Sequence, residues 1–474
     1  MTGGLTELVC KGQLDNFINQ NPSISYYKFA YKKHTNFSFE SRRLEFETNP
    51  LINKNNIIYS CKIERYADLI SNLYFIYKLP NIYSDDKLKF RWVKNVGTLL
   101  IKRATLTIDS SIIDLITGEW LLIQNEYLKD LKNSYNELTG NVKKIYEPRL
   151  QIPLLRINNN KYTDISYPIG SKSLNKPSIE ERQIIIPLSF NFTKNPSLSL
   201  MLVKLQLSDV YINIELEDIE NLYQVYSDEL KMFISPKYYN ELYSGYNNKI
   251  DINTFITNNV LLAYIEANYI FLDNDERALL MTEPINQILI EQNFISNFNE
   301  VQAGNRLSTT IKLTGANFHI KEIIWTLRRN DYNKFNNNMN FTNTIPEDLI
   351  NPKPIMDSAV INFDKVNRIQ EKNADFFNKI QPYQHHDNIP KSIGIYSYSS
   401  ALNPDKWFPT GSYDGSCLTT SLTIFVNPSD NSVINNLLKK YNKPTYNYNY
   451  LLRYYVRGFN VLEYNGGVAR IKYS

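Results

Sequence analysis

The sequence predicts an all-β protein, most economically a sandwich with elaborated loops. Three observations carry this. The 474 residues include 35 Tyr and are 13% aromatic, with many Ile and Asn; Tyr and Ile favour pleated, half-buried surfaces, and Asn favours turns. Apolar and polar residues alternate with period two in both halves of the chain, the pattern of strands with one face buried and one wet. Between these runs lie long polar connections, at 121–180 and 328–380, rich in Asn, Lys, Ser and Pro; such loops in a compact β protein are usually functional or surface-forming.

Along the chain, "RATLTID" sets Ala104, Leu106 and Ile108 against Arg103, Thr105, Thr107 and Asp109. "VYINIELE" sets Ile212, Ile214 and Leu216 against Asn213, Glu215 and Glu217. "AYIEANYIF" places Ala263, Ile265, Ala267, Tyr269 and Phe271 on one side, and "SLTIFVN" does the same with Leu422, Ile424 and Val426. Two short helices are expected, "NEYLKDLKNSYNEL" before Gly140 and "DERALLMTE", which Pro284 terminates.

A chain of this length usually splits, so two domains are expected. The candidate boundary is 218–254, where strand alternation lapses and Tyr, Asn, Gly and Pro mix. A faint echo crosses it: Gly97 leads to Ile101-Lys102 and an apolar strand, and Gly315 leads to Ile320-Lys321 and another.

Composition also excludes. Lys and Arg total 52 against 48 Asp and Glu, a dispersed net charge of +4, whereas wrapping nucleic acid needs a concentrated basic face. Cys10, Cys61 and Cys417 are odd in number, far apart and form no CxxC, which fits neither a disulfide framework nor a zinc ribbon and suits a reducing compartment. The start "MTGGLTELVCKGQ" has no secretion-signal pattern and no apolar run is long enough to span a bilayer, so a soluble, intracellular protein is expected.

Phosphate-loop, dinucleotide, zinc-protease and nucleophile-elbow motifs are missing. His385 and His386 precede Asp387 in a chain of 4 histidines. Adjacent strand residues point to opposite faces, so the pair chelates jointly only from an irregular loop, and an ordinary polar loop near Pro382 and Pro390 is the favoured reading. "DNDER", 273–277, resembles a calcium loop but has Arg277 at the fifth position and no glycine next, which favours a charged turn. Sequons at Asn36, Asn191 and Asn340 are read as chance, with Asn340, in a long loop, the most open to modification. Trp92, Trp120, Trp325 and Trp407 are read as packing anchors, and Leu5, Leu8 and Val9 as a short turn that docks on a neighbouring subunit. No catalytic, cofactor-binding or metal residue is assigned, and no enzyme activity is expected.

The order of landmarks then resembles a known family. "GGLTELVCKGQLD", "NPSISYYKFAYKKHTNFSFE", "IERYADLI", "VGTLLIKRATLTIDSSIIDLITGEW" and "IIIPLSFNFTKNPSLSLMLVKLQLSDVYINIEL" are followed by "NYIFLDNDERALL", "ILIEQ", "HIKEIIWTL" and "YQHHDNIPKSIGIYSYSSALNP". This ordered set, from residue 3 to the end, is similar to the double jelly-roll major capsid proteins of nucleocytoplasmic large DNA viruses. The resemblance implies two tandem eight-stranded jelly-roll β-sandwiches with long loops and a few short helices. It divides the chain into a 1–24 base segment, a 25–217 first jelly roll, a 218–254 connector or insertion, and a 255–474 second jelly roll. It implies a shell subunit of the virion, made in the host cytoplasm or a viral factory, that forms pseudo-hexagonal homotrimers and a trimer lattice. Partners would be minor capsid and penton proteins, with an internal viral membrane near the N-terminal base and no sequence-specific nucleic acid. His385 and His386 then fix a loop by hydrogen bonds. Alternatives are a scaffold-type or minor paralogue of the same fold, and a two-domain carbohydrate-binding sandwich with Tyr and Trp stacking on sugars.

Overall fold

The computed structural model describes residues 2–29, 31–48, 57–84, 88–127, 132–146, 170, 173–174, 176–243, 262–345 and 353–473. Residues Met1–Phe37 form one compact unit and Ser38–Ser474 another. The first carries short helices α1 (Gly3–Val9) and α2 (Gln13–Asn19), with Leu8 and Phe17 exposed. The separate unit therefore runs past the 1–24 segment expected from sequence.

Among the described residues, sixteen of the second unit's strands form two large pairs of sheets. The first eight are β1 (Phe37–Leu44), β2 (Ile58–Ile63), β3 (Leu69–Leu79), β4 (Ile101–Ile108), β5 (Ser111–Ile116), β6 (Arg182–Pro187), β7 (Val210–Leu216) and β8 (Ala263–Leu272). The second eight are β9 (Ile285–Ile295), β10 (Leu307–Lys312), β11 (His319–Arg329), β12 (Met356–Phe363), β13 (Val366–Asn373), β14 (Ile395–Ser399), β15 (Thr420–Val426) and β16 (Tyr450–Asn465). They pair as β1-β8-β3-β6 and β2-β7-β4-β5, then as β9-β16-β11-β14 and β10-β15-β12-β13. Adding eight to each label of the first pair of sheets reproduces the second. Each half is thus a jelly roll of two four-stranded antiparallel layers, as the chain's all-β patterning and its resemblance imply.

The alternating runs behave as read. In β7 and β15 every second residue is buried, and burying such a face is what drives a strand onto its neighbour. In β8 the alternation holds through Tyr269 and then fails, Ile270 being buried and Phe271 only half-buried; just before this, between Ala267 and Tyr269, the register slips by one extra residue on β3.

Pairing corrects the expected domain division. β8 hydrogen-bonds β3 from Ala263↔Tyr77 to Ile270↔Leu69, so it completes the first sandwich rather than opening the second. The 218–254 stretch is then an insertion ahead of the first sandwich's last strand, not a link between sandwiches; residues 244–254 of it lie outside the described residues. Its described part forms strands Tyr223–Ser227 and Met232–Ile234, which extend a small sheet with Phe90–Trp92, and a helix Pro236–Leu242. Leu230, Ile234, Tyr238 and Leu242 pack against Phe335, Ile434 and Leu438 of the second half. The Gly97 and Gly315 echo also fails as an index of duplication, because it leads into β4 in one half and β11 in the other, which are not equivalent strands.

The 328–380 connection contains β12 and β13, so it is not a plain loop. Within 121–180, the described part holds helices Gly118–Tyr127, Lys132–Leu138 and Lys143–Tyr146, and 147–169 lie outside the described residues. Trp92, Trp120 and Trp325 are fully buried as expected, but Trp407 is 48% exposed.

Candidate functional site

The outward face of β9-β16-β11-β14 is turned to the first sandwich and carries a cluster of buried charged side chains, among them Glu291, Glu322 and Arg457. A close approach helps place the first sandwich's contribution. A Cβ on Gly118 would lie 1.9 Å from the Thr98 carbonyl oxygen, so only glycine lets the helix Gly118–Tyr127 seat there, and this helix presents Glu119, Trp120 and Tyr127. Trp120 stacks on Tyr455 with ring centroids 5.1 Å apart. Beside them Glu119 meets Arg453 at 3.0 Å and Arg328 at 3.8 Å, and accepts from Thr326 Oγ1 at 3.3 Å. Burial works to raise the Glu119 carboxyl, but Arg328 and Arg453 outweigh it and hold the group below its ordinary value.

The larger cluster centres on Glu291 of β9. Its carboxylate meets Lys321 Nζ at 2.7 Å, Arg457 Nε at 2.9 Å and Lys194 Nζ at 2.9 Å, the last from the first sandwich. The Glu291 backbone N–H also donates across the boundary to Asn191 Oδ1 at 2.7 Å. Arg457 Nη1 then reaches Glu322 at 2.7 Å, and Glu322 reaches His386 Nε2 at 2.5 Å. His386 Nδ1 lies 3.0 Å from Asp405, and its ring stacks on Tyr127 at 4.1 Å. Lys321 and Arg457 both donate to the Pro404 carbonyl oxygen, at 2.8 and 3.2 Å.

Local backbone explains how neighbours Lys321 and Glu322 both reach this cluster. The pairing of β11 with β16 slips between Ile320 and Glu322. The bulge redirects one side chain that a regular strand would send to the opposite face.

The electrostatics follow from burial and pairing. Burial would raise Glu291, but Arg457, Lys194 and Lys321 hold it well below the carboxylate range. Burial pushes Lys321 down to about 8 against the pull of Glu291. Burial likewise opposes a charge on His386, but Glu322 and Asp405 prevail and raise it to about 9. His386 is therefore an imidazolium at neutral pH, with both ring nitrogens donating to carboxylates. A charged imidazole has no free lone pair for a metal ion, and each carboxylate of the cluster is matched to a cation.

The residues singled out from sequence fall in different places. His385 ends a helical stretch, Phe376–Ile380 continuing as Gln381–His385, and His386 is the extended residue that caps it at the start of the bend that follows. His385 is exposed and contacts the Leu402 carbonyl oxygen at 3.2 Å, so only His386 enters the cluster. Asp273 caps the helix Asn274–Thr282 by accepting from the Asn274 N–H, and Arg277 pairs with Asp68 at 3.1 Å; the segment is a helix start. Asn340, read as the sequon most open to modification, is 4% exposed, with its amide donating to the Thr344 carbonyl and accepting from Thr342. Asn191 is buried too, while Asn36 is exposed. Cys10, Cys61 and Cys417 are free thiols. Sequence reasoning missed Glu119, Lys194, Glu291, Lys321, Glu322, Asp405 and Arg457, although charges inside apolar strands such as "HIKEIIWTL" were a usable signal.

Comparison with known proteins places this architecture. Residues 25–273 match the family described as "Major capsid protein N-terminus", and residues 276–469 match "Large eukaryotic DNA virus major capsid protein". The chain belongs to the major capsid proteins of large eukaryotic DNA viruses. The first match ends one residue after β8, in step with the strand pairing. Among relatives of this capsid protein family, "Probable capsid protein 4" of Acanthamoeba polyphaga mimivirus is 26% identical, over 99% of each chain. The major capsid protein of Phaeocystis pouchetii virus is 24% identical over the full length of both. The fold is that of the VP54 protein of PBCV-1, with a TM-score of 0.67 at 20% identity over 95% of this chain and 100% of that one. As a capsid protein the chain is a structural component of the virion.

Proposed function

We propose that three copies of the chain form a pseudo-hexagonal capsomer that tiles the icosahedral facets of the shell. The observation that carries this is the strand order repeated twice in one chain. Three copies of a molecule with two like sandwiches offer six like columns, and a closed ring is the common outcome of a repeated head-to-tail contact. The buried ionic cluster supports the reading, since a shell subunit must hold its two sandwiches in one fixed relation. In this reading the first jelly roll runs through β8, the second begins at β9, and 217–262 is an insertion in the first.

The N-terminal unit, with Leu8, Val9, Phe17 and Tyr27 exposed, faces minor capsid proteins, penton proteins or the internal membrane. Removing residues 1–20 then leaves a folded trimer that fails to build shells. Electron microscopy of the purified protein tests the main proposal: hexagonal arrays of three-fold particles support it, and a protein that stays monomeric at high concentration refutes it.

A further inference from the structure

One buried carboxylate at the boundary between the sandwiches stands apart from the ion pairs described above. Asp114 of β5 is 5% exposed. It is held by backbone rather than by a cation: Oδ2 accepts from the Asn191 N–H and Oδ1 from the Leu115 N–H, each at 2.8 Å, and among the described residues it has no ion-pair partner. Beside it lies a cavity of about 20 Å³, walled by both sandwiches with apolar side chains such as Leu106 of β4, Ile288 of β9, Leu462 of β16 and Phe192 after β6. Such a space holds about one water molecule, so bulk solvent does not relieve the buried charge.

Asn191 joins this carboxylate to the second sandwich. Its N–H serves Asp114, while its side-chain Oδ1 accepts from the Glu291 N–H at 2.7 Å. A carboxylate of each sandwich therefore stands on either side of one asparagine, and their like charges oppose the contact it makes. Lys194 attracts both but bonds Glu291, at 2.9 Å, and Lys321 and Arg457 are engaged by Glu291 as well. The other elements packed on Asp114 bring no free charge to it. Lys102 and Arg103 of β4 pair with Glu215, Arg470 of the C-terminal strand Val468–Ile471 pairs with Glu463, and Tyr464 of β16 is kept neutral by burial while its hydroxyl accepts from the Met201 N–H.

We propose that Asp114 is an acid-set tie between the two sandwiches: a proton taken up on its buried carboxylate strengthens their contact, so the subunit is held more firmly in a mildly acidic medium than at neutral pH. Protonation removes both the cost of burying an unpaired charge and the repulsion from Glu291. Burial is the largest influence on the carboxyl and, with Glu291, outweighs Asn191, Lys194 and Leu115, raising it to about 6 from an ordinary 3.8. A carboxyl that binds its proton more tightly in the folded chain adds stability as pH falls through 6, and the gain is complete below 3.8. The direction suits a shell kept intact in an acidic medium and taken apart in a neutral one.

The test compares the full-length wild type with Asp114→Asn, which is neutral at every pH. Urea midpoints at pH 7.5 and pH 5.0 give the ratio of their folding equilibrium constants. That ratio should shift about tenfold in favour of the wild type on going to pH 5.0; Lys321 and His386 are common to both proteins and cancel. Hydrogen exchange of peptides spanning 188–195 and 286–292, corrected for the pH dependence of chemical exchange, reads the tie itself. Wild-type protection there should rise with a midpoint near pH 6, and the variant's should not. If the Asn variant does not fold, the wild-type exchange profile decides alone. A ratio that is constant with pH, a shift in favour of the variant in acid, or wild-type protection that does not rise between pH 7.5 and 5.0 overturns the proposal.

Discussion

Arg457→Met is the sharpest test of the buried cluster. The arginine is 7% exposed and bonds Glu291 at 2.9 Å, Glu322 at 2.7 Å and the Pro404 carbonyl at 3.2 Å. Methionine fills much of the same volume, so the main loss is charge. Removing one partner of a buried pair typically costs ~3–5 kcal/mol, because the remaining charge stays desolvated. Here Glu291 retains Lys321 and Lys194, and Glu322 retains His386, which places the expected loss near the lower end, about 3 kcal/mol. Lys62→Met is the control: Lys62 and Asp209 pair at 2.8 Å but are 46% and 41% exposed, and surface pairs contribute ~0–1 kcal/mol. Urea titration followed by tryptophan fluorescence gives both values from the shift in midpoint. Should the Arg457 variant lose no more stability than the Lys62 variant, the claim that this cluster fixes the two sandwiches is wrong.

Other expectations follow from the same geometry. His386 has a folded value near 9 against an ordinary 6.5, so its contribution, roughly 3 kcal/mol, is complete below pH 6.5 and lost as pH rises through 9. The difference in midpoint between the wild type and His386→Asn, followed from pH 6 to 10, should shrink as pH rises, because the Lys321 contribution of opposite sign is common to both. Gly118→Ala forces a Cβ against the Thr98 carbonyl and should cost ~1–3 kcal/mol by overpacking, read as a lower unfolding temperature. Trp325→Ala empties a fully buried site in the second core and should cost ~3–5 kcal/mol in the same urea titration. Expressed through a secretory pathway, the protein should show no glycan mass at Asn340 in peptide mapping, because that side chain is already bonded at both ends.

How far the sequence could be read depended on which forces acted locally. β4, β7 and β15 were legible because each has one apolar face toward a core and one polar face toward solvent. β13 was not, since "VNRIQEKN" is exposed along nearly its whole length and shows no buried apolar face. β11 was legible as a strand, but Lys321, Glu322 and Arg328 within it look solvent-facing, whereas they are buried against partners from distant segments. No local pattern reports that such charges are matched. The same limit explains β8, whose alternation marked a strand but said nothing about which sheet would receive it.

The place of β8 and β16 in their sheets bears on how the polypeptide is made. Each is the last main strand of its sandwich to leave the ribosome, yet each lies between two strands made much earlier: β8 between β1 and β3, β16 between β9 and β11. Until that late strand arrives the layer has a gap at its middle, so neither half can close while its C-terminal part is still being synthesised. A prematurely terminated product lacking β16 would have no finished second half to offer a growing particle. Synthesis of β16 thereby acts as a checkpoint on which molecules can enter the virion.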